Sequence, residues 1–215
     1  MCLVSHKKTI EASLNGAKIV PVVVIENQQQ ALGLAQALMD GGINVIEVTL
    51  RNDFGIHAIE AIKNAFPDML MLAGTVKTPQ EAIDVVNAGA EGIVTPGVTE
   101  SLLKTIDDLD VCYLPGVTSP SDVLLAMQYG LSECKLFPAS IVGGISVLKA
   151  LGGPFPNIRF CPTGGVSASN YTEYLALENV MCVGGSWVAP SSLIVDQDWG
   201  QITQLAKEAT LTLSK

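Results

Sequence analysis

The sequence predicts an α/β fold, a compact (β/α)8 TIM barrel with an extra N-terminal helix, formed as a single domain over residues 1–215. Three observations lead there. Short runs rich in Val, Ile, Leu and Cys alternate with longer segments of helical spacing. Eight such runs occur, and their midpoints advance by about 23 residues, the length of a βα unit with short loops. None is followed by the Gly-x-Gly-x-x-Gly of a dinucleotide site, which disfavours a doubly wound sheet.

In chain order, a helix over roughly 9–16 is expected to cover the bottom of the barrel. Strands are expected at 19–25, 45–50, 70–76, 92–97, 111–117, 133–139, 159–165 and 181–187. Between the first two, residues 27–41 carry apolar Ala31, Leu34, Ala35 and Leu38 at helical spacing and stop at Gly41-Gly42. Thr78-Pro79-Gln80-Glu81 opens another helix with an N-cap threonine, a proline at the first position and a glutamate three residues on. No linker or low-complexity stretch interrupts the series.

Composition narrows the function. The chain is 48% hydrophobic with a mean hydropathy of +0.40, which is a globular interior. Its longest uninterrupted apolar run, 19–25, is far short of the roughly 18 residues a membrane span needs. No basic stretch followed by an apolar core opens the chain, so no signal peptide is expected. Five cysteines without a Cys-x-x-Cys pair read as reduced thiols, and the expected compartment is the cytoplasm. A net charge of −9, with only two arginines (Arg51 and Arg159), disfavours nucleic acid as a partner. An anionic substrate must then be held by local groups.

In a barrel those groups lie at the C-terminal ends of the strands. Reading these ends gives Glu47 and Arg51, Thr75, Thr95-Pro96, Pro115, Lys135, Thr163-Gly164-Gly165 and Gly184-Gly185-Ser186. In Val45-Ile46-Glu47-Val48-Thr49-Leu50-Arg51 the two-residue period puts Glu47, Thr49 and Arg51 on one face and the apolar residues on the other. The polar face points into the barrel; a buried structural Glu–Arg pair is the alternative reading. Lys135 lies within an apolar strand and shares a face with Phe137. Burial and a nearby Arg51 favour its neutral amine, the form that attacks a ketone; the alternative is a lysine that snorkels to the surface. The two Gly-Gly turns are expected to offer backbone N–H groups, and the positive ends of the helices that follow, to an anion. His6 and His57 fall outside the strand ends and read as surface or packing residues, so no metal site and no Ser–His pair is expected.

At these positions the sequence resembles the 2-keto-3-deoxy-6-phosphogluconate / 4-hydroxy-2-oxoglutarate aldolase family. The resemblance extends from Val20-Pro21-Val22 to Gly184-Gly185-Ser186-Trp187. It is carried by Ile46-Glu47-Val48-Thr49-Leu50-Arg51, Ala73-Gly74-Thr75-Val76, Thr95-Pro96-Gly97, Lys135-Leu136-Phe137-Pro138-Ala139 and Pro162-Thr163-Gly164-Gly165. It implies a cofactor-free, metal-free class I aldolase in which Lys135 forms a Schiff base and Glu47 is the general acid/base. Arg51 and Thr75 would hold the pyruvate carboxylate, and Phe137 and Pro96 would line the pocket. Thr163, Gly164, Gly165 and Ser186 would meet the distal phosphate or carboxylate of the keto acid. It further implies a homotrimer. The sequence departs from the family pattern at Leu136, where Phe is expected, and at Ser140, where Glu commonly follows Phe-Pro-Ala. A 2-keto-3-deoxy-6-phosphogalactonate aldolase, a phosphate-binding barrel isomerase or synthase, and a scaffold without activity are the rival readings.

Overall fold

A computed structural model describes residues 8–213. His6 and Cys2 lie outside the described residues. The chain opens with a four-residue helix α1 (Ile10–Ser13), shorter than the expected 9–16 and capped by Thr9, whose side chain accepts from the Ala12 N–H. Alternation then proceeds through β1 (Ile19–Val23), α2 (Gln28–Asp40), β2 (Val45–Thr49), α3 (Gly55–Ala65), β3 (Leu70–Gly74), α4 (Pro79–Asn87), β4 (Gly92–Val94) and α5 (Glu100–Asp107). It continues with β5 (Cys112–Leu114), β6 (Gly116–Val117), α6 (Pro120–Gln128), β7 (Glu133–Leu136), α7 (Gly144–Gly152), β8 (Arg159–Pro162), α8 (Tyr171–Leu175) and β9 (Val183–Gly185). Two helices, α9 (Ser191–Val195) and α10 (Trp199–Leu213), complete it.

All strand pairs are parallel. One sheet runs in the order β5-β4-β3-β2-β1-β9 and a second in the order β6-β7-β8. Pro115 separates β5 from β6; it has no N–H to give to a ladder, so one stave of the barrel appears as two short strands. Bridges Phe160↔Val180 and Thr163↔Gly184 join β8 to β9, and β9 pairs with β1 at Ile19↔Val183. The circuit thus closes on eight staves, as the periodicity predicts.

The helices form where the sequence signals them. Asn27 accepts from the Gln30 N–H to start α2, and the helix ends at Gly41. Thr78 and Glu81 satisfy each other's orphan N–H groups in a capping box that opens α4 with Pro79 at the first turn. The strands, in contrast, end earlier than expected: at Val23, Thr49, Gly74, Val94, Leu136 and Pro162. Beyond these points the chain carries Pro96 and Pro138, which have no N–H for a ladder, and Gly164-Gly165 with positive φ, so the backbone turns into loops at the C-terminal mouth.

Period two settles which side chains face inward. Ile46 and Val48 on β2 and Cys134 and Leu136 on β7 are all buried completely among the surrounding helices. The alternate positions Glu47, Thr49, Glu133 and Lys135 turn to the barrel axis and are also buried. Each apolar side chain so enclosed contributes roughly 1.5–3 kcal/mol relative to exposure, which is what lets the interior hold charged groups.

Candidate active site

The bottom of the barrel is closed by a buried carboxylate. Glu133, first residue of β7, accepts the N–H of Ile10 at 2.6 Å and that of Glu11 at 3.1 Å. Two orphan donors of α1 are thereby satisfied, and the short helix is held across the opening. Burial pushes the Glu133 carboxyl above its ordinary value even though these N–H bonds act the other way. Arg159 is at the same end, paired with Glu11 at 3.0 Å, as its position at the start of β8 predicts.

Two residues further along β7, Lys135 is 5% exposed. Its Nζ donates to Glu47 Oε1 at 2.9 Å and to Oε2 at 3.3 Å. β2 and β7 are four staves apart of eight, so the pair spans the barrel interior. Each charge would be costly to bury alone; breaking such a pair typically costs about 3–5 kcal/mol. The Phe137 ring centroid is 5.3 Å from Nζ, so this half-buried aromatic borders the amine.

The Glu–Arg pair is not formed. β2 ends at Thr49, and Arg51 lies beyond it, exposed, with no hydrogen bond or ion pair to another described residue. Asn52 explains the turn: its amide donates to the Ile25 carbonyl at 3.0 Å and its Oδ1 accepts from the Phe54 N–H, pulling the chain off the strand line. Glu47 takes Lys135 as its partner, and Arg51 stands at the mouth beside Lys77 and Asn52 in a shallow hollow. The closeness of Arg51 to the amine expected from sequence is therefore replaced by a Glu47–Lys135 contact.

Thr75 follows directly on β3 with φ of 61°, a left-handed conformation that is rare for a β-branched residue. Such a conformation costs of order 1–3 kcal/mol and is retained where neighbouring structure imposes it. Pro96 is exposed at the rim, just beyond Thr95, whose buried hydroxyl donates to the Gly97 carbonyl at 2.6 Å and lies 3.2 Å from the Tyr113 hydroxyl.

The glycine turns form a connected rim. Gly164 and Gly165 have φ of 95° and 79°. The loop after β7 is stitched to them: Ala139 N–H donates to Thr163 O at 2.8 Å and Ser140 N–H to Gly164 O at 3.0 Å. Thr163 is buried, while Gly165 and Ser186 are exposed. The helices that follow do not start at the turns. α8 begins at Tyr171 and α9 at Ser191, each five residues long. The intervening chain is taken up by turns, with the Ser167 N–H bonded to Asn170 Oδ1. Neither α8 nor α9 thus presents its N-terminus at the turn it follows, a correction to the sequence expectation.

His57 is exposed on α3 beside Phe54, as expected. Among the described residues no three His, Cys, Asp or Glu side chains converge as metal ligands. Gly74 is not among the site residues expected from the sequence, yet a Cβ there would stand 2.3 Å from Glu47 Oε1. A glycine ending an apolar strand is the signal that marks such a close approach.

An amine and a carboxylate in hydrogen-bond contact, enclosed in a barrel, can form an imine and move protons beside it. The sequence profile of the family described as "KDPG and KHG aldolase" matches residues 10–205. The KHG/KDPG aldolase of Escherichia coli K12 is 44% identical over 94% of this chain and 95% of its own length. The 2-dehydro-3-deoxy-phosphogluconate aldolase of Dickeya dadantii is 45% identical over the same shares. Among solved structures, a KDPG aldolase of Legionella pneumophila superposes with a TM-score of 0.90 at 45% identity, over 93% of this chain and 97% of that one. That crystal structure holds pyruvate captured as a covalent carbinolamine. By sequence and by fold, the chain belongs to the KDPG and KHG aldolase family.

Proposed function

We propose that this protein is a class I aldolase that cleaves 2-keto-3-deoxy-6-phosphogluconate to pyruvate and glyceraldehyde 3-phosphate, and 4-hydroxy-2-oxoglutarate to pyruvate and glyoxylate. The observation that carries the reading is the Lys135 amine held 2.9 Å from Glu47 in the barrel interior. Lys135 gives its proton to Glu47 and attacks the C2 ketone. Loss of water leaves a protonated imine, which serves as the electron sink, so the residues need no metal or organic cofactor. Glu47, directly or through a water, takes the C4 hydroxyl proton, and the C3–C4 bond breaks to an aldehyde and an enamine. A proton returned to C3 and hydrolysis of the imine free pyruvate.

Arg51 and Thr75 hold the substrate carboxylate in this reading, with Arg51 turning inward from the mouth to clamp it bidentately. Phe137 and Pro96 border the pocket. Thr163, Gly164, Gly165 and Ser186 receive the distal group, a role supported by their shared rim. A related aldolase of Zymomonas mobilis, 40% identical, has been crystallised with 3-phosphoglycerate. The family resemblance supports a homotrimer, and a sedimentation mass of about three times the 22.6 kDa of one chain is expected. Cysteine usage supports a cytoplasmic setting.

Borohydride reduction in the presence of pyruvate tests the chemistry. One reduced pyruvyl adduct per chain is expected, on Lys135. An adduct on Lys77 or Lys149, or none at all, would overturn the assignment.

A further inference from the structure

Glu47 is level with Leu72 in the β2–β3 register, and Thr49 is level with Gly74. Equivalent positions on parallel strands share a face, so Leu72 and Gly74 are the inward neighbours of Glu47 on the next stave. Leu72 is buried with its full side chain in place, and the Glu47 side chain does not displace it. It leans instead toward the mouth, over the position where Gly74 has no side chain. A Cβ built on Gly74 would lie 2.3 Å from Glu47 Oε1, 2.8 Å from Cγ and 2.9 Å from Cδ, and these are its three nearest atoms. Gly74 does not have a positive φ, unlike the next residue, Thr75, so the backbone at 74 admits any residue. What this glycine supplies is empty space, and Glu47 fills it.

From this we infer that Gly74 is a positioning residue, whose missing side chain sets the lean of the Glu47 carboxylate toward Lys135 and so governs proton transfer. The inference rests on the aldolase reading above. Glu47 needs both oxygens within reach of Nζ, at 2.9 and 3.3 Å. A methyl group at 74 occupies the place of Oε1 and forces the carboxylate into another rotamer, while Lys135 on the far stave keeps its own position. The consequence shows per imine formed: once Lys135 holds pyruvate as the imine, exchange of the methyl protons still needs the carboxylate placed at the enamine carbon, so exchange falls relative to trapped imine even where imine formation is itself slowed.

The test uses Gly74→Ala, with Gly92→Ala as a control. A Cβ on Gly92 would meet Leu72 Cδ2 at 2.7 Å, Cys112 Cβ at 3.3 Å and Ile10 Cδ1 at 3.4 Å; it crowds the layer of Leu72, level with Glu47, but no atom of Glu47 is among its three nearest. Both variants crowd the interior. Gly74→Ala is expected to slow solvent exchange of pyruvate protons at least about tenfold relative to its borohydride-trapped imine, since losing a placed acid/base typically costs 10²–10⁴-fold. Gly92→Ala is expected to lower Tm while leaving exchange per folded molecule at the wild-type rate. A normal exchange-to-imine ratio in Gly74→Ala overturns the inference, as does an equal fall in Gly92→Ala. Should wild type itself trap no pyruvate, the aldolase reading fails instead, and the two failures are distinguishable.

A thermal cycle covers the case in which Gly74→Ala does not fold. All three nearest atoms belong to Glu47, so the Tm penalty of Gly74→Ala should vanish when Glu47→Ala has cleared them. A double variant melting with Glu47→Ala alone supports the contact; one that melts well below it shows that the added methyl strikes something else, and the inference falls.

Discussion

A primary amine enclosed in a barrel needs a partner, and Glu47 supplies it from the opposite stave. The pairing was only half legible in the sequence. Alternation showed that Glu47 and Lys135 both turn inward, but strand periodicity says nothing of which strands lie opposite, and Arg51, four residues from Glu47, was the nearer candidate on paper. The side chain of Asn52 decided otherwise by bending the chain off the strand. The left-handed φ of Thr75 was likewise hidden, because a β-branched residue gives no local signal for it. Ser186 allows a direct test of the rim. Its hydroxyl is exposed beside Gly185, whose Cβ would approach the carbonyl of Val166, so the two turns adjoin. If that rim receives the distal group, Ser186→Ala should lower kcat/KM for the phosphorylated substrate by roughly 1–3 kcal/mol, the range of a hydrogen bond to a charged group. 4-Hydroxy-2-oxoglutarate, which is shorter, should be nearly unaffected. Equal losses on both substrates would mean that Ser186 supports the site in general and that the phosphate lies elsewhere.

Elements were more legible than contacts, and the boundaries show why. Start signals for helices are local: Thr78-Pro79-Gln80-Glu81 contains every group of its capping box within four residues, and the structure forms it as read. Ser119, Pro120 and Asp122 build a second box at α6 by the same chemistry. Strand ends are not local. Whether 95–97 or 163–165 continues a ladder depends on the neighbouring stave, and at the mouth the neighbours diverge, so all but one of the expected strands run one to three residues too long. The same cause displaces the helix starts. Sequence spacing suggested that α8 and α9 begin at the glycine turns, whereas turns held by Asn170 intervene and both helices are short. The N-terminal helix was expected as a lid over the bottom, and it is one. Its anchor, Glu133, is not legible in the sequence, because a strand-initial glutamate resembles a solvated residue and only the fold brings the N–H groups of Ile10 and Glu11 to it.

For the molecule as a whole, burying thiols and phenols has a consequence for alkaline stability. Burial raises the Cys134 thiol from 9.0 to about 12. It raises the Tyr113 phenol from 10.0 to about 12, against the opposing hydrogen bond to Thr95. Cys161 and Cys182 share a hydrogen bond that shifts them in opposite directions, Cys161 down and Cys182 up, so their contributions oppose each other. For Cys134 and Tyr113 the folded chain holds the proton more tightly than the unfolded chain does. The resulting stability is complete below the unfolded value and is lost as pH rises toward the folded one, because the unfolded state ionises first. For Cys134 the loss begins near pH 9, at about 1.4 kcal/mol per pH unit, and Tyr113 joins it one unit later. Tm should therefore fall progressively above about pH 9, over a window set by the buried thiol and then the phenol. Cys134→Ala isolates the thiol. Removing the sulfur leaves a small cavity and lowers Tm at neutral pH, yet its share of the alkaline loss should disappear, giving a shallower decline between pH 9 and 10. Tyr113→Phe should follow wild type to about pH 10 and flatten only beyond it. The measurement is a set of melting curves for the three proteins at half-unit steps of pH. If Cys134→Ala declines as steeply as wild type, the alkaline limb belongs to other groups and the buried thiol is not what limits the fold.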